Sequence, residues 1–201
     1  MKKLFLFIAA FIALMPGATR AADDNQVRYY IPPSQFNAAL EVMDLGFANV
    51  FGLFRSATGS FEFEASTKSV GNLKLAIDAT SLMANSTENE RDLAALLGAM
   101  QYPEIRFTAP DSISFAEGKA DIKGTLTLHG VSKPFILQAT LNQIGKSPKA
   151  GGMWSDEGPA VGLSMRGTFK RADFGLSDNP EAKSRFGDTI TLLLETQAIK
   201  Q

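Results

Sequence analysis

Apolar and polar residues alternate with a period of two over much of the chain. Leu73, Leu75 and Ile77 alternate with Asn72, Lys74, Ala76 and Asp78. Ile122, Leu126 and Leu128 alternate with Asp121, Lys123, Thr125 and Thr127. The same rhythm places Phe135, Leu137, Ala139 and Leu141 on one side, then Val161, Leu163, Met165 and Phe169, then Ile190, Leu192 and Leu194. A period of two sends successive side chains to opposite faces of a sheet, so these runs predict antiparallel strands with one dry face. Phe61-Glu62-Phe63 and Ile105-Arg106-Phe107 fit as shorter strands. Turns are expected at Ala57-Thr58-Gly59-Ser60, at Glu117-Gly118-Lys119 and in a hairpin over His129–Pro134. Ser147 to Gly158 reads as a longer loop containing Met153 and Trp154, with Trp154 either a lid or docked on the body.

One stretch follows a helical spacing instead. Leu93, Leu96, Leu97 and Met100 recur within Glu88–Met100. Thr87 with Glu90 predicts a capping box, Gly98 weakens the last turn, and Pro103 ends the helix. Asn85-Ser86-Thr87 matches a glycosylation sequon but reads as the helix entry. Strands with one apolar face either stack as two sheets or close into a barrel, and periodicity alone leaves both open.

The N-terminus departs from this pattern. Lys2 and Lys3 precede an apolar run from Leu4 to Met15, and Pro16-Gly17 and Ala18-Thr19-Arg20-Ala21-Ala22 follow. Charged, apolar and small-residue regions in that order predict a secretory signal peptide over 1–21 and export to the periplasm. The run falls short of the roughly 20 apolar residues that span a bilayer. Residues 22–201 are then expected to form one domain, not stably inserted in a membrane, with Asp23–Gln26 a frayed start. Losing the three cations Lys2, Lys3 and Arg20 takes the formal charge from −1 to −4. A mildly acidic chain without a basic cluster excludes nucleic acid as the expected partner. Cysteine is absent, so an exported protein here relies on packing rather than disulfides or thiolate metal sites.

Ordered segments in the middle of the chain carry a resemblance. Tyr102-Pro103-Glu104-Ile105-Arg106-Phe107 precedes Gly124-Thr125-Leu126-Thr127-Leu128-His129-Gly130-Val131-Ser132-Lys133-Pro134. Arg171-Ala172-Asp173-Phe174-Gly175 and Phe186-Gly187-Asp188-Thr189-Ile190 follow. With Gly52-Leu53-Phe54, Gly59-Ser60-Phe61-Glu62-Phe63 and Arg91-Asp92-Leu93, this set resembles the YceI-like family of bacterial periplasmic proteins. The resemblance implies an all-β, lipocalin-like antiparallel barrel with an apolar tunnel for a polyisoprenoid or another long-chain amphiphile. It also departs from the family. Members often carry a His-Ser pair and a second His in the first strands, whereas this chain has Tyr29 to Phe36 there and Asp44 near the second position.

The side chains expected to face such a tunnel come from the alternating sets and the phenylalanine-bearing segments. The aromatic candidates are Phe36, Phe54, Phe61, Phe63, Phe107 and Phe169. The aliphatic candidates are Leu40, Val42, Leu75, Ile77 and Leu126, joined by Leu137, Leu163, Met165 and Leu192. An alternative is a filled core, in which these residues only pack and the protein acts as a stress-related or interaction protein. A buried prenyl chain gains about 0.8 kcal/mol per CH₂. Ten such groups therefore offset much of the roughly 4–15 kcal/mol that association costs.

Candidate chemistry is sparse. His129 is the sole histidine, and its place in a hairpin predicts a turn role rather than a base or ligand. Arg171-x-Asp173-Phe174-Gly175 is not a kinase Mg²⁺ motif, because the companion loops are missing. Arg171 and Asp173 are expected to pair or cap at a strand end, with Gly175 making the turn. Arg166 and Arg171 are alternative contacts for an anionic head group at a barrel mouth. No catalytic residue, metal or cofactor is expected. A lipid hydrolase is the less favoured reading, and a homodimer is compatible with the sequence.

Overall fold

The computed structural model describes residues 26–147, 158–176 and 184–201. The expected signal peptide, Trp154 and most of the Ser147–Gly158 loop lie outside the described residues. In chain order the elements are β1 (Val27–Ile31), β2 (Phe36–Asp44), β3 (Ala48–Phe54), β4 (Ala57–Glu64), β5 (Ser69–Asp78) and β6 (Leu82–Met83). There follow α1 (Thr87–Leu97), β7 (Glu104–Ala109), β8 (Ile113–Ser114), β9 (Lys119–Leu128), β10 (Val131–Ser147), β11 (Gly158–Lys170) and β12 (Phe186–Lys200).

The ladder β1-β4-β5-β7-β9-β10-β11-β12 closes on itself, because Tyr29 and Tyr30 of β1 also pair with Lys200 and Ile199 of β12. The molecule is therefore a closed eight-strand antiparallel barrel, which leaves this circuit without a free sheet edge. Near one end three strands break in step: β1 from β2 at Pro33–Gln35, β3 from β4 at Arg55–Ser56, and β5 from β6 at Ala79–Ser81. The breaks are laced together by backbone bonds, Arg55 N–H to the Ser81 carbonyl at 3.2 Å and Asp78 N–H to the Ser56 carbonyl at 2.9 Å. Beyond them, β2 continues the wall on the first half of β12, β3 pairs with β2, and α1 lies against β6, β3 and the Ala79–Ser81 turn.

Burial follows the predicted alternation. Leu73, Leu75 and Ile77 are buried and Asn72 and Lys74 exposed, and Phe135, Leu137 and Ala139 are buried while Ile136, Gln138 and Thr140 are exposed. All the inward residues join one apolar cluster. The hairpin at His129 is tighter than expected. Leu128 pairs directly with Val131, leaving His129-Gly130 as a two-residue turn with φ of 53° and 72°. Pro134 lies inside β10, in the stretch where β10 pairs with β9 alone, so its missing N–H leaves the β11 ladder intact.

Three local expectations are corrected. Ala57–Ser60 is strand, not turn: Gly59 pairs with Leu75. A Cβ at Gly59 would sit 2.7 Å from Leu75 Cδ2 and 2.8 Å from Ile31 Cδ1, so glycine is there for close packing. Ser86, not Thr87, caps α1: its Oγ accepts the Asn89 N–H at 3.1 Å. Gly98 terminates the helix in the left-handed conformation rather than weakening it, and Met100 is 92 % exposed instead of continuing the buried face.

Candidate functional site

The interior is the candidate site, and it is built by the wall and α1 together. Each predicted tunnel residue is buried, from Leu137 and Leu163 at 0 % exposure to Phe169 at 9 %. Their arrangement divides into two aromatic groups. Tyr29 stacks on Phe61 with centroids 5.8 Å apart and meets Phe63 edge-on at 6.0 Å. Burial holds the Tyr29 phenol above its ordinary pKa. Further along the barrel, Phe107, Phe135, Phe169 and Phe174 form a continuous edge-to-face series, with successive centroids 6.2, 6.2 and 5.2 Å apart. Two glycines let these rings lie against the wall. A Cβ at Gly124 would be 2.6 Å from Phe107 Cζ, and one at Gly167 would be 2.4 Å from Phe135 Cζ.

At the α1 end the interior opens into an apolar cavity of about 10 Å³ lined by Leu40, Phe54, Leu126, Phe169 and Leu192. Leu97 of α1, Ile105, Leu128 and Ile190 complete its lining. A space of that size holds about one water molecule. Around this cavity the described residues are thus close-packed, and a long chain enters there only where side chains or α1 move aside. The missed lining residues had visible signals: Leu97 sits in the helical repeat, and Ile105, Leu128 and Ile190 sit in the alternating strands.

Helix α1 closes this end with Leu93, Leu96 and Leu97 facing inward. Polar side chains hold its N-terminal half. Arg185, just before β12, donates from Nε to Asp44 Oδ1 at 2.9 Å and from Nη2 to Asp44 Oδ2 at 3.1 Å. The same guanidinium bonds Asp92 and Asn89 of α1, and Glu88 lies 3.7 Å away. Its plane covers the Phe186 ring at 5.0 Å. Hydrogen bonding to Asp44, with the charges of Asp44 and Asp92, raises the Arg185 pKa against the opposing effect of burial. Asp44, where the family resemblance placed a histidine, therefore anchors a cation instead. The C-terminal end of α1 rests on His129. A Cβ at Gly98 would lie 2.7 Å from the imidazole, the Tyr102 ring meets it at a 60° tilt with centroids 4.4 Å apart, and Nδ1 lies 3.2 Å from the Phe174 carbonyl. His129 is a turn and contact residue, as expected.

The two arginines part company. Arg171 is buried while Asp173 is exposed. Arg166 stands on the outer wall, 3.6 Å from Glu41, because it falls in the polar half of the β11 alternation. Gly175 does make the turn, with φ of 70°. A shallow groove of about 530 Å³ between Arg28, Tyr30, Lys74 and Arg106 lies on the outer face, separated from the apolar interior by the strands themselves.

An antiparallel barrel with a largely apolar interior beneath α1 defines a small lipocalin-like class. The YceI-like domain model matches residues 29–198, and the chain belongs to that family. It is 29 % identical over 205 residues to a UPF0312 protein of Pseudomonas putida (strain W619), covering 100 % of this chain and 99 % of the relative. Burkholderia cenocepacia BcnA shares the fold with a TM-score of 0.67 at 17 % identity, over 84 % of this chain and 98 % of that one. A polyisoprenoid binding domain from Saccharophagus degradans, implicated in plant cell wall breakdown, superposes with a TM-score of 0.63 at 15 % identity, over 88 % and 99 %.

Proposed function

We propose that this protein is a periplasmic binding or carrier protein for a long-chain amphiphile, a polyisoprenoid or related lipid, and performs no chemistry on it. The observation that carries the reading is the apolar interior that ends in a small cavity beneath α1. Leucine, isoleucine and phenylalanine alone line it. A prenyl chain needs such a wall and little else, at about 0.8 kcal/mol per buried CH₂. The polyisoprenoid binding described for the Saccharophagus degradans neighbour supports the same ligand class. The amino-terminal charged and apolar segments support export. We place entry at α1, which is held by side chains, whereas the wall strands are joined by backbone ladders around the circuit.

The close packing around the 10 Å³ cavity favours a second reading, an interaction protein with a filled core. Native mass spectrometry of protein isolated from its host periplasm, followed by organic extraction, separates the two. A stoichiometric mass excess that extracts as an isoprenoid is expected. A bare polypeptide mass, unchanged after incubation with geranylgeraniol, leaves the filled-core reading standing.

A further inference from the structure

The β2–β3 hairpin ends in Leu45-Gly46-Phe47, and its side chains point into solvent: Leu45 is 62 % and Phe47 92 % exposed. Hairpin tips normally carry Gly, Asn, Asp or Ser, which tolerate the backbone and stay wet. Five non-glycine residues among those described have positive φ: Leu45, Lys68, Asn72, Glu117 and His129. Leu45, at φ 48°, is the apolar one, in a conformation that is costly for a side chain unable to bond its own backbone. Nothing in the barrel recovers that cost, since neither residue packs on the core. The tip is nevertheless firmly mounted. Leu45 N–H donates to the Arg185 carbonyl at 2.8 Å, Phe47 N–H to the Asp44 carbonyl at 2.9 Å, and Asp44 grips the Arg185 guanidinium. Through Arg185 the tip is tied to α1, so it stands at the end where the cavity closes.

We propose that Leu45 and Phe47 dock this end of the barrel on the surface of a lipid bilayer, seating in the boundary between head groups and acyl chains. The proposal rests on the reading of the interior as a lipid site, whose ligand resides in a membrane. Phe51 and Leu53 on the outer face of β3, 50 % and 52 % exposed, and Met43 on the paired strand β2, 38 % exposed, bring the patch to five large apolar side chains, against the roughly 800 Å² and 20–30 residues that a stable dimer interface takes from each partner. A few apolar side chains suffice for weak, reversible contact with a bilayer, where Phe and Leu transfer from water directly. Arg185 is already paired with Asp44 and Asp92, so the contact is apolar rather than ionic and does not depend on anionic lipid.

The test is co-sedimentation with phosphatidylcholine vesicles, comparing the parent with a Leu45→Asp/Phe47→Asp variant that shares its N-terminus. Phe47→Trp in a Trp154→Phe background reports depth through quenching by brominated lipid. Expected are a loss of partitioning of about tenfold or more in the double variant, no dependence on salt, and quenching of the tip tryptophan. Geranylgeraniol binding without vesicles is read in parallel by native mass spectrometry and is expected to be unchanged, so a failure of the interior reading appears there and not in the sedimentation. Equal partitioning of parent and variant, no partitioning by the parent, an unquenched tip, or a parent dimer that the variant splits into monomers each overturns the proposal.

Discussion

The barrel wall and helix α1 enclose the same apolar interior by different means. The wall is held by backbone. β11 and β12 alone are in register from Ala160–Ile199 to Lys170–Thr189, and the circuit closes through β1. Helix α1 is held by three inward leucines, one arginine and a histidine ring. A ladder opens only when neighbouring strands part together, whereas side-chain contacts release one at a time. The difference assigns rigidity to the wall and access to the helix.

Substitution in the wall is expected to have the largest effect. Phe107→Ala removes a ring 2 % exposed and ends the aromatic series, for a loss of about 3–5 kcal/mol in urea unfolding. If the loss is under 1 kcal/mol, the wall is not the rigid part. Arg185→Ala strips Asp44 and Asp92 of their shared cation and frees α1. The expected loss is about 1.5–3 kcal/mol, the usual range for hydrogen bonds to charged groups. Hydrogen exchange should accelerate over 87–97 and stay slow in β11 and β12, and equal acceleration everywhere erases the distinction. Ser86→Ala removes the α1 N-cap for about 1 kcal/mol, again read in the helix amides before the strands. The smallest effect concerns pH. Burial raises the pKa of Tyr29 in the folded state above its unfolded value of 10. Its share of stability is therefore intact below pH 10 and falls as pH rises toward the folded pKa. Tyr29→Phe should flatten that part of the decline in alkaline unfolding curves, and identical curves for parent and variant remove Tyr29 from the account.

What could be read from the sequence follows the same division. Strand faces are local properties, so β5, β9, β10, β11 and β12 could be read from alternation, and every predicted tunnel residue is inside. β2 carried the same rhythm in Phe36, Ala38, Leu40 and Val42 between Pro32-Pro33 and Gly46, a strand signal that the longer runs overshadowed. Gly59 looked like punctuation because a glycine chosen for close packing and one chosen for positive φ are the same letter. Ser86 and Thr87 are both good caps, and which one serves depends on where the chain leaves β6. The Arg185 cluster had no local signature at all. Its partners stand 141 and 93 residues away along the chain and meet only because β12 lies beside β2 below α1. Arg166 and Arg171 looked suited to a head group by type, yet strand parity sent one outward and burial claimed the other.

The most direct test of the central claim is hydrogen exchange by mass spectrometry on the protein with and without geranylgeraniol. With α1 as the gate, the lipid binds in a one-to-one complex and speeds exchange over 87–97, with 119–128 and 186–200 unchanged. Unchanged exchange in the helix at saturating lipid would contradict it.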